Sequence, residues 1–388
     1  MSSPVSLFGA EARIDPYPLY SRVREEQPVY VEPDFGTYAL TRYEDVYEVL
    51  KDHETYSSAQ GISPGMRASS GAMLTTMIMM DPPRHSRLRA LVIRSFTPRV
   101  LGLLEPWLVG LVDELIDAFP ASGDVDVVSQ LTVPLPVTAI ARVMGIPEED
   151  GARFKEWSDA VVGATDRMVA EEDRAKIFEM MQYFGATIAR RKAEPGDDLM
   201  STIAFAEVDG ERLTDPEMLG FCLLLLIAGN ETTTNLLGNA LNLLAARPDL
   251  WSALRADPAK VPEAVEEALR YESPVQALFR TTTRDVELHG VQMPAGSKVA
   301  VCYAAANRDF REFPDPDDFR LDRGLLGHVA FGYGIHYCLG APLARLEAKV
   351  ALERLTARFG SVSAGAGEKK RVPSSILRGF EHLPLRFS

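Results

Sequence analysis

The stretch Phe331-Gly332-Tyr333-Gly334-Ile335-His336-Tyr337-Cys338-Leu339-Gly340 decides how this chain is read. Its glycines, Gly332, Gly334 and Gly340, surround one cysteine, and glycine enters backbone conformations with φ > 0 at no steric cost. Such a loop turns tightly and brings a sulfur close to a flat group. The following residues, Ala341-Pro342-Leu343-Ala344-Arg345-Leu346-Glu347-Ala348-Lys349-Val350, continue a helix expected over 339–359, with Pro342 in the first turn, where proline is tolerated. Cys338 is therefore expected at a helix N-terminus, where the dipole and free N–H groups favour the thiolate, the form that ligates metal. A lone cysteine before a helix is more often a buried apolar residue, and the glycine spacing sets this one apart. Cys222 and Cys302 sit in apolar surroundings and read as small core residues; no CxxC pair supports a disulfide framework or a structural zinc site.

The run resembles the cysteine-ligand loop of the cytochrome P450 family of haem-thiolate monooxygenases, F-G-x-G-x-H-x-C-x-G, at every fixed position. The resemblance implies haem b (iron protoporphyrin IX) with Cys338 as the metal ligand and Phe331, Gly332, His336 and Gly340 among the cofactor-binding residues. It also implies a fold that is mainly α with a small β region, the haem lying between a long oxygen-binding helix and the cysteine-loop helix.

Composition agrees with an ordinary globular protein: 388 residues, 46% apolar and 25% charged. Length alone would allow two or three domains, but no repeat or Gly/Ser-rich linker divides the chain, so residues 1–388 read as a single domain. The formal net charge of −14 argues against a nucleic-acid binder. Residues 1–11 lack a basic, apolar signal pattern, and the longest strongly apolar run, 221–228, is far shorter than the roughly 18 residues of a membrane span. A cytoplasmic protein without membrane segments is expected. Helical periodicity or start signals mark 18–26, 44–51, 84–95, 100–118, 148–162, 170–191, 215–246, 262–271 and 339–359. Short β-like stretches fall at 29–31, 37–40, 286–288, 298–303 and 383–386.

The segment 215–246 is long for a helix and apolar on all sides, so it should cross the core. Inside it, Ala228-Gly229-Asn230-Glu231-Thr232-Thr233-Thr234 forms a polar island. Glycine costs about 1 kcal/mol against alanine in a helix interior, and an unpartnered buried carboxylate costs more. A local distortion, with a threonine hydroxyl taking over a carbonyl, would open a groove there. The island resembles the family's oxygen-binding pattern A/G-G-x-D/E-T, which makes Glu231 and Thr232 the acid and alcohol that deliver protons, beside cofactor-binding Ala228 and Gly229. Asn230 fills the variable slot and is expected to face substrate or water.

Three further sets follow from the same resemblance. Glu267 and Arg270 are three apart on one helix face, an ordinary ion pair taken alone. They fit the family's E-x-x-R pair, with Arg323 as the third, structural member that braces the cysteine loop. His85 and Arg89 fit H-x-x-x-R and, with Arg280 and His336, would bind the haem propionates, as cationic and hydrogen-donating groups suit carboxylates.

The implied activity is insertion of one atom of O2 into a C–H bond or alkene of a lipophilic small molecule. No flavin or nicotinamide fingerprint follows a strand, so electrons are expected from a ferredoxin or flavodoxin-type donor with its reductase. Such donors are acidic, which makes Arg84, Arg87, Arg94, Arg99, Arg345 and Lys349 candidates for a basic docking face. Pocket walls are expected from 57–81, 163–168, 225–232 and 275–279. The competing readings are a haem-binding ligand or gas sensor, and an enzyme driven by peroxide.

Overall fold

The structure, a computed structural model, describes residues 5–64, 76–97, 102–120, 122–151, 153–154, 156–158, 160, 171–196, 198–208, 210–324 and 327–388. The expected stretch 163–168 and part of 57–81, including Met66 and Met73, lie outside these residues.

The axis of the molecule is the 32-residue helix Asp215–Ala246. It starts where the sequence provides a cap: the Glu217 carboxylate accepts from the Thr214 backbone N–H at 2.9 Å, and Pro216 occupies the first turn. Its N-terminal half packs Leu223, Leu225 and Leu226 into one apolar cluster, and its C-terminal half packs Leu236, Leu237 and Leu241 into another. Most of both halves is thus buried, as the helix's lack of a polar face requires, although its terminal residues Asp215, Pro216 and Ala246 are exposed. Midway the pattern changes: Ala228 is exposed, and Leu224, Ile227, Glu231 and Thr232 are only half-buried. These positions, spaced three and four apart, form one stripe, so one side of a core helix is incompletely covered midway along its length.

Helix Pro134–Met144 packs across this helix near Gly229, where a Cβ would meet Ile140 Cδ1 at 3.4 Å. That is an ordinary contact distance, so crowding there does not by itself demand glycine. Helices Val261–Tyr271 and Ala341–Arg358 pack on each other and on the C-terminal half of the long helix. Among the described residues, five α-helices fall outside the segments expected from periodicity: Ala10–Ile14, Pro134–Met144, Leu199–Phe205, Pro248–Ala256 and Tyr303–Ala306. Two of them open on prolines, which signal a break unless the first turn is recognised.

The β region is small, as expected. Its largest sheet has the order Val29–Glu32, Thr37–Leu40, Lys298–Val301, Leu278–Thr282, Tyr56–Ser57. Only the pairing of Thr37–Leu40 with Lys298–Val301 is parallel. Strand Leu278–Thr282 carries no sequence expectation, and it matters for the site because Val299 pairs with Arg280 and fixes that arginine in place.

Candidate functional site

Cys338 lies between the turn Gly334–His336 and helix Ala341–Arg358. Its backbone N–H donates to the Phe331 carbonyl at 2.9 Å, closing the loop on itself. Gly332 and Gly334 have φ of +71° and +67°, so both need glycine. A Cβ on Gly334 would also stand 2.4 Å from the Leu50 carbonyl oxygen, which locks the loop against the end of helix Tyr43–Lys51. Gly340 differs from expectation. Its φ is −82°, an ordinary helix-capping conformation, and a Cβ there would meet nothing within 4 Å, so neither conformation nor crowding demands glycine.

The electrostatics of the sulfur also depart from expectation. Burial raises the Cys338 thiol above the ordinary range; the Gly340 N–H, Arg89, the Ala341 N–H and Arg345 pull it down without overcoming that. The helix start acts in the expected direction, but desolvation of a thiolate wins. Without a metal this side chain is a thiol, and a coordinated metal would remove its proton outright. Cys222 and Cys302 are fully buried, with Cys222 pushed up to about 12 by burial, which fits inert core residues.

Four predicted cofactor contacts converge beside this loop. The His85 and His336 rings lie 4.3 Å apart between centroids, and Arg89 Nη2 donates to the Tyr337 carbonyl at 2.6 Å. Arg280, 3% exposed, donates to the Phe279 carbonyl and acts electrostatically on His336. His85 is 1% exposed, yet neither ring nitrogen has a hydrogen-bond partner, and His336 Nε2 is also buried and unpartnered. Leaving such groups unsatisfied costs about 1–3 kcal/mol each. Burial, then the neighbouring Arg89, lowers His85 to about 4; burial, then Arg280, His85 and Arg89, lowers His336 to about 2. Orphaned imidazoles in a cationic surrounding fit an anionic group, and the acid groups of a haem meet that need.

The partly uncovered stripe of the long helix carries Ala228, Gly229, Glu231 and Thr232. The Thr232 hydroxyl donates to the Ala228 carbonyl at 2.7 Å, as expected for a threonine engaging the preceding turn, while the helix itself runs unbroken. Asn230 does not lie on this stripe and so does not face substrate or water as expected. It is 3% exposed and donates to Ser158 Oγ at 2.8 Å, tying the long helix to a neighbouring one. Phe279 likewise leaves the expected pocket wall; it is fully buried against Phe8.

The E-x-x-R set forms as expected. Glu267, 1% exposed, holds Arg270, 0% exposed, through two hydrogen bonds of 2.8 Å, and Arg323 Nε donates to the same carboxylate at 2.9 Å. Sequence reasoning missed how this set reaches the cysteine loop. Arg270 donates to the Asn307 carbonyl at 3.0 Å, and Asn307 Oδ1 accepts from the Val329 N–H at 2.7 Å, two residues before Phe331. Asn307 lies in no motif, so only its full burial in the fold marks it.

The candidate docking cations are mostly neutralised. Arg84 pairs with Glu217 and Glu211, Arg87 with Glu211 at 3.2 Å, Lys349 with Glu105 at 2.7 Å and Arg345 with Glu266 at 2.6 Å. The Arg94 side chain and Arg99 lie outside the described residues. Among the described residues, no group of three or more His, Cys, Asp and Glu could hold a metal ion, and no helix is long and apolar enough to cross a membrane.

Glu347, on the cysteine helix, is a buried acid that no motif used. It is 2% exposed, Oε2 has no partner, and burial raises it to about 8. Between the ordinary carboxyl range and pH 8 the unfolded chain releases this proton while the folded chain keeps it, so stability falls as pH rises through that window. Glu347→Gln is expected to stabilise the protein by roughly 2–4 kcal/mol at pH 8 and to leave stability near pH 4 unchanged. Urea midpoints at the two pH values measure this; an equal change at both would refute the buried-acid assignment.

Residues 126–378 match the sequence model of the family "Cytochrome P450". The monooxygenase PikC of Streptomyces venezuelae is 40% identical over 98% of this chain and 93% of its own length. The chain belongs to the cytochrome P450 family. The solved structure of cytochrome P450 CYP109Q5 from Chondromyces apiculatus is 41% identical, superposes with a TM-score of 0.92, and is matched over 100% of this chain and 99% of its own. Cytochrome P450 CYP109E1 from Bacillus megaterium, solved in complex with testosterone, gives 38% identity and a TM-score of 0.87 over 96% of this chain and 99% of its own. Membership makes the chain a P450 monooxygenase, an oxidoreductase whose family works with haem, and the P450 fold is the one described above.

Proposed function

We propose that this P450 holds haem b on Cys338 and hydroxylates or epoxidises a lipophilic small molecule with O2, taking electrons from a separate ferredoxin or flavodoxin-type donor and its reductase. The observation that carries the site assignment is the buried, unpartnered pair His85 and His336, set with Arg89 and Arg280 beside the Cys338 loop. These four would hold the propionates, and Phe331, Gly332 and Gly340 shape the sulfur's surroundings. When bound, the haem supplies oxygen activation, with thiolate ligation favouring O–O cleavage.

The chain's own residues then have three tasks. Cys338 donates electron density from a loop held rigid by Gly332, Gly334 and the Glu267, Arg270, Arg323 set. The stripe of Leu224, Ile227 and Ala228 presents an apolar wall, which suits a lipophilic substrate; the B. megaterium relative was solved with a steroid. Glu231 and Thr232 stand on that stripe as the acid and alcohol that bring protons in. For this the Thr232 hydroxyl must leave the Ala228 carbonyl, a rotation of one side chain.

We further read residues 1–388 as one domain and the protein as cytoplasmic. The long helix supports the first point, because it contributes to both large apolar clusters. Thr232→Ala tests the proton role. The variant is expected to bind substrate normally and to divert most reducing equivalents to hydrogen peroxide, lowering product per nicotinamide consumed about tenfold or more. Full coupling in this variant would remove Thr232 from the mechanism. A panel of steroids, terpenoids, fatty acids and macrolides, scored by the substrate-induced change in the haem spectrum, tests the substrate class.

A further inference from the structure

Helix Val261–Tyr271 carries two adjacent glutamates with different duties. Glu267 belongs to the buried set with Arg270 and Arg323. Glu266 points elsewhere. Its carboxylate accepts from Arg345 Nε at 2.6 Å and Nη2 at 2.9 Å, and His328 Nε2 lies 3.1 Å away. His328 Nδ1 accepts from the Ala330 N–H at 3.2 Å, which assigns the ring proton to Nε2 and makes His328 a donor to Glu266.

Arg345 completes the connection. Its Nη1 donates to the Tyr337 hydroxyl at 3.1 Å, and its guanidinium stands 4.5 Å from the Phe331 ring centroid. One cation therefore touches the loop at Tyr337, beside Cys338, and at Phe331, whose carbonyl accepts from the Cys338 N–H. Arg345 remains 36% exposed, whereas His328 and Glu266 are buried. Burial alone would raise Glu266, but hydrogen bonds from His328 and Arg345 hold it at about 2, so both charges of the pair are fixed at any working pH. Arg345 is also one of the groups that pull the Cys338 thiol down.

We propose that the Glu266–Arg345 pair, seated by His328, positions the cysteine loop and sets the electron-donor strength of Cys338. These are positioning residues; none touches the reacting atoms. Arg345 is the member nearer the loop, since it contacts Tyr337 and Phe331 directly while Glu266 reaches the loop through Arg345 and through His328, whose ring centroid lies 6.2 Å from that of Phe331. Its positive charge withdraws density from the sulfur, and Glu266 partly cancels that charge. Charge arriving at the half-exposed guanidinium, for example from a docked acidic electron carrier, would act on the sulfur through the same contact. The inference rests on the haem-thiolate reading above.

The test is the reduction potential of the haem-loaded protein in Arg345→Gln, Glu266→Gln, the double variant and Arg345→Lys. Loss of the cation leaves Glu266 unopposed, so Arg345→Gln is expected to lower the potential. Loss of the anion leaves Arg345 unopposed, so Glu266→Gln is expected to raise it. The double variant should return most of the way to the parent value, and Arg345→Lys, which keeps the charge and breaks the fork, should stay near it. Loosening of the loop would move both single variants in one direction, so shifts of equal sign, or no shift, overturn the proposal. If a glutamine variant fails to hold haem, Arg345→Lys decides alone: a retained thiolate-type band and potential support the charge role, and a displaced one overturns it. Absence of a thiolate-type band in the unmodified protein would instead defeat the haem-thiolate reading itself.

Discussion

Replacing Cys338 by serine is expected to leave a folded, haem-binding protein with no monooxygenase turnover, a loss of about a thousandfold or more. The fold should survive because the loop is closed by backbone groups. The Cys338 N–H to Phe331 carbonyl bond, the left-handed glycines and the Gly334 contact with Leu50 do not involve the sulfur. Haem should still bind because His85, Arg89, Arg280 and His336 are untouched. What is lost is the anionic sulfur donor, which a serine hydroxyl does not replace near neutral pH. Haem stoichiometry, unfolding midpoint and product formation check the three parts separately. Turnover at more than a tenth of the parent rate would contradict the assigned role of Cys338.

Glu267→Gln is expected to cost roughly 3–5 kcal/mol of stability, because it leaves two guanidinium groups without their counter-charge in a site closed to water. Arg270 and Arg323 are 0% and 7% exposed as side chains, and both rely on the Glu267 carboxylate. Arg270 keeps its bonds to the carbonyls of Asn307, Pro316 and Asp318, which satisfy its donors but not its charge. A loss of that size is a large part of the 5–15 kcal/mol typical of a folded domain, so poor expression and partial haem loading should accompany it. Urea unfolding gives the number, and a cost below about 1 kcal/mol would show that the set is not a structural brace.

The sequence made the site legible where the chemistry depends on local spacing. The glycines around Cys338, the i,i+3 pair Glu267 and Arg270, and the i,i+4 pair His85 and Arg89 each occupy one loop or one helix face, so order along the chain carries their geometry. It was silent where groups meet from distant segments. Asn307, the Glu266, His328 and Arg345 network, and the Asn230 to Ser158 bond join residues 22 to 79 positions apart. Gly340 and the Cys338 thiol show a second limit. A motif names a residue type, but backbone angle and desolvation are set by packing, and both differ from the local expectation. Helices Pro134–Met144 and Pro248–Ala256 were hidden for a simpler reason, since prolines in a first turn look like breaks.

The central claim is that Cys338 ligates the iron of a bound haem as a thiolate. The most direct measurement is the absorption spectrum of the reduced, carbon monoxide-bound protein. The expected result is the red-shifted Soret band of thiolate ligation, lost in Cys338→Ser while haem remains bound. A band at the shorter wavelength of histidine-ligated or unligated haem in the unmodified, folded protein would contradict it.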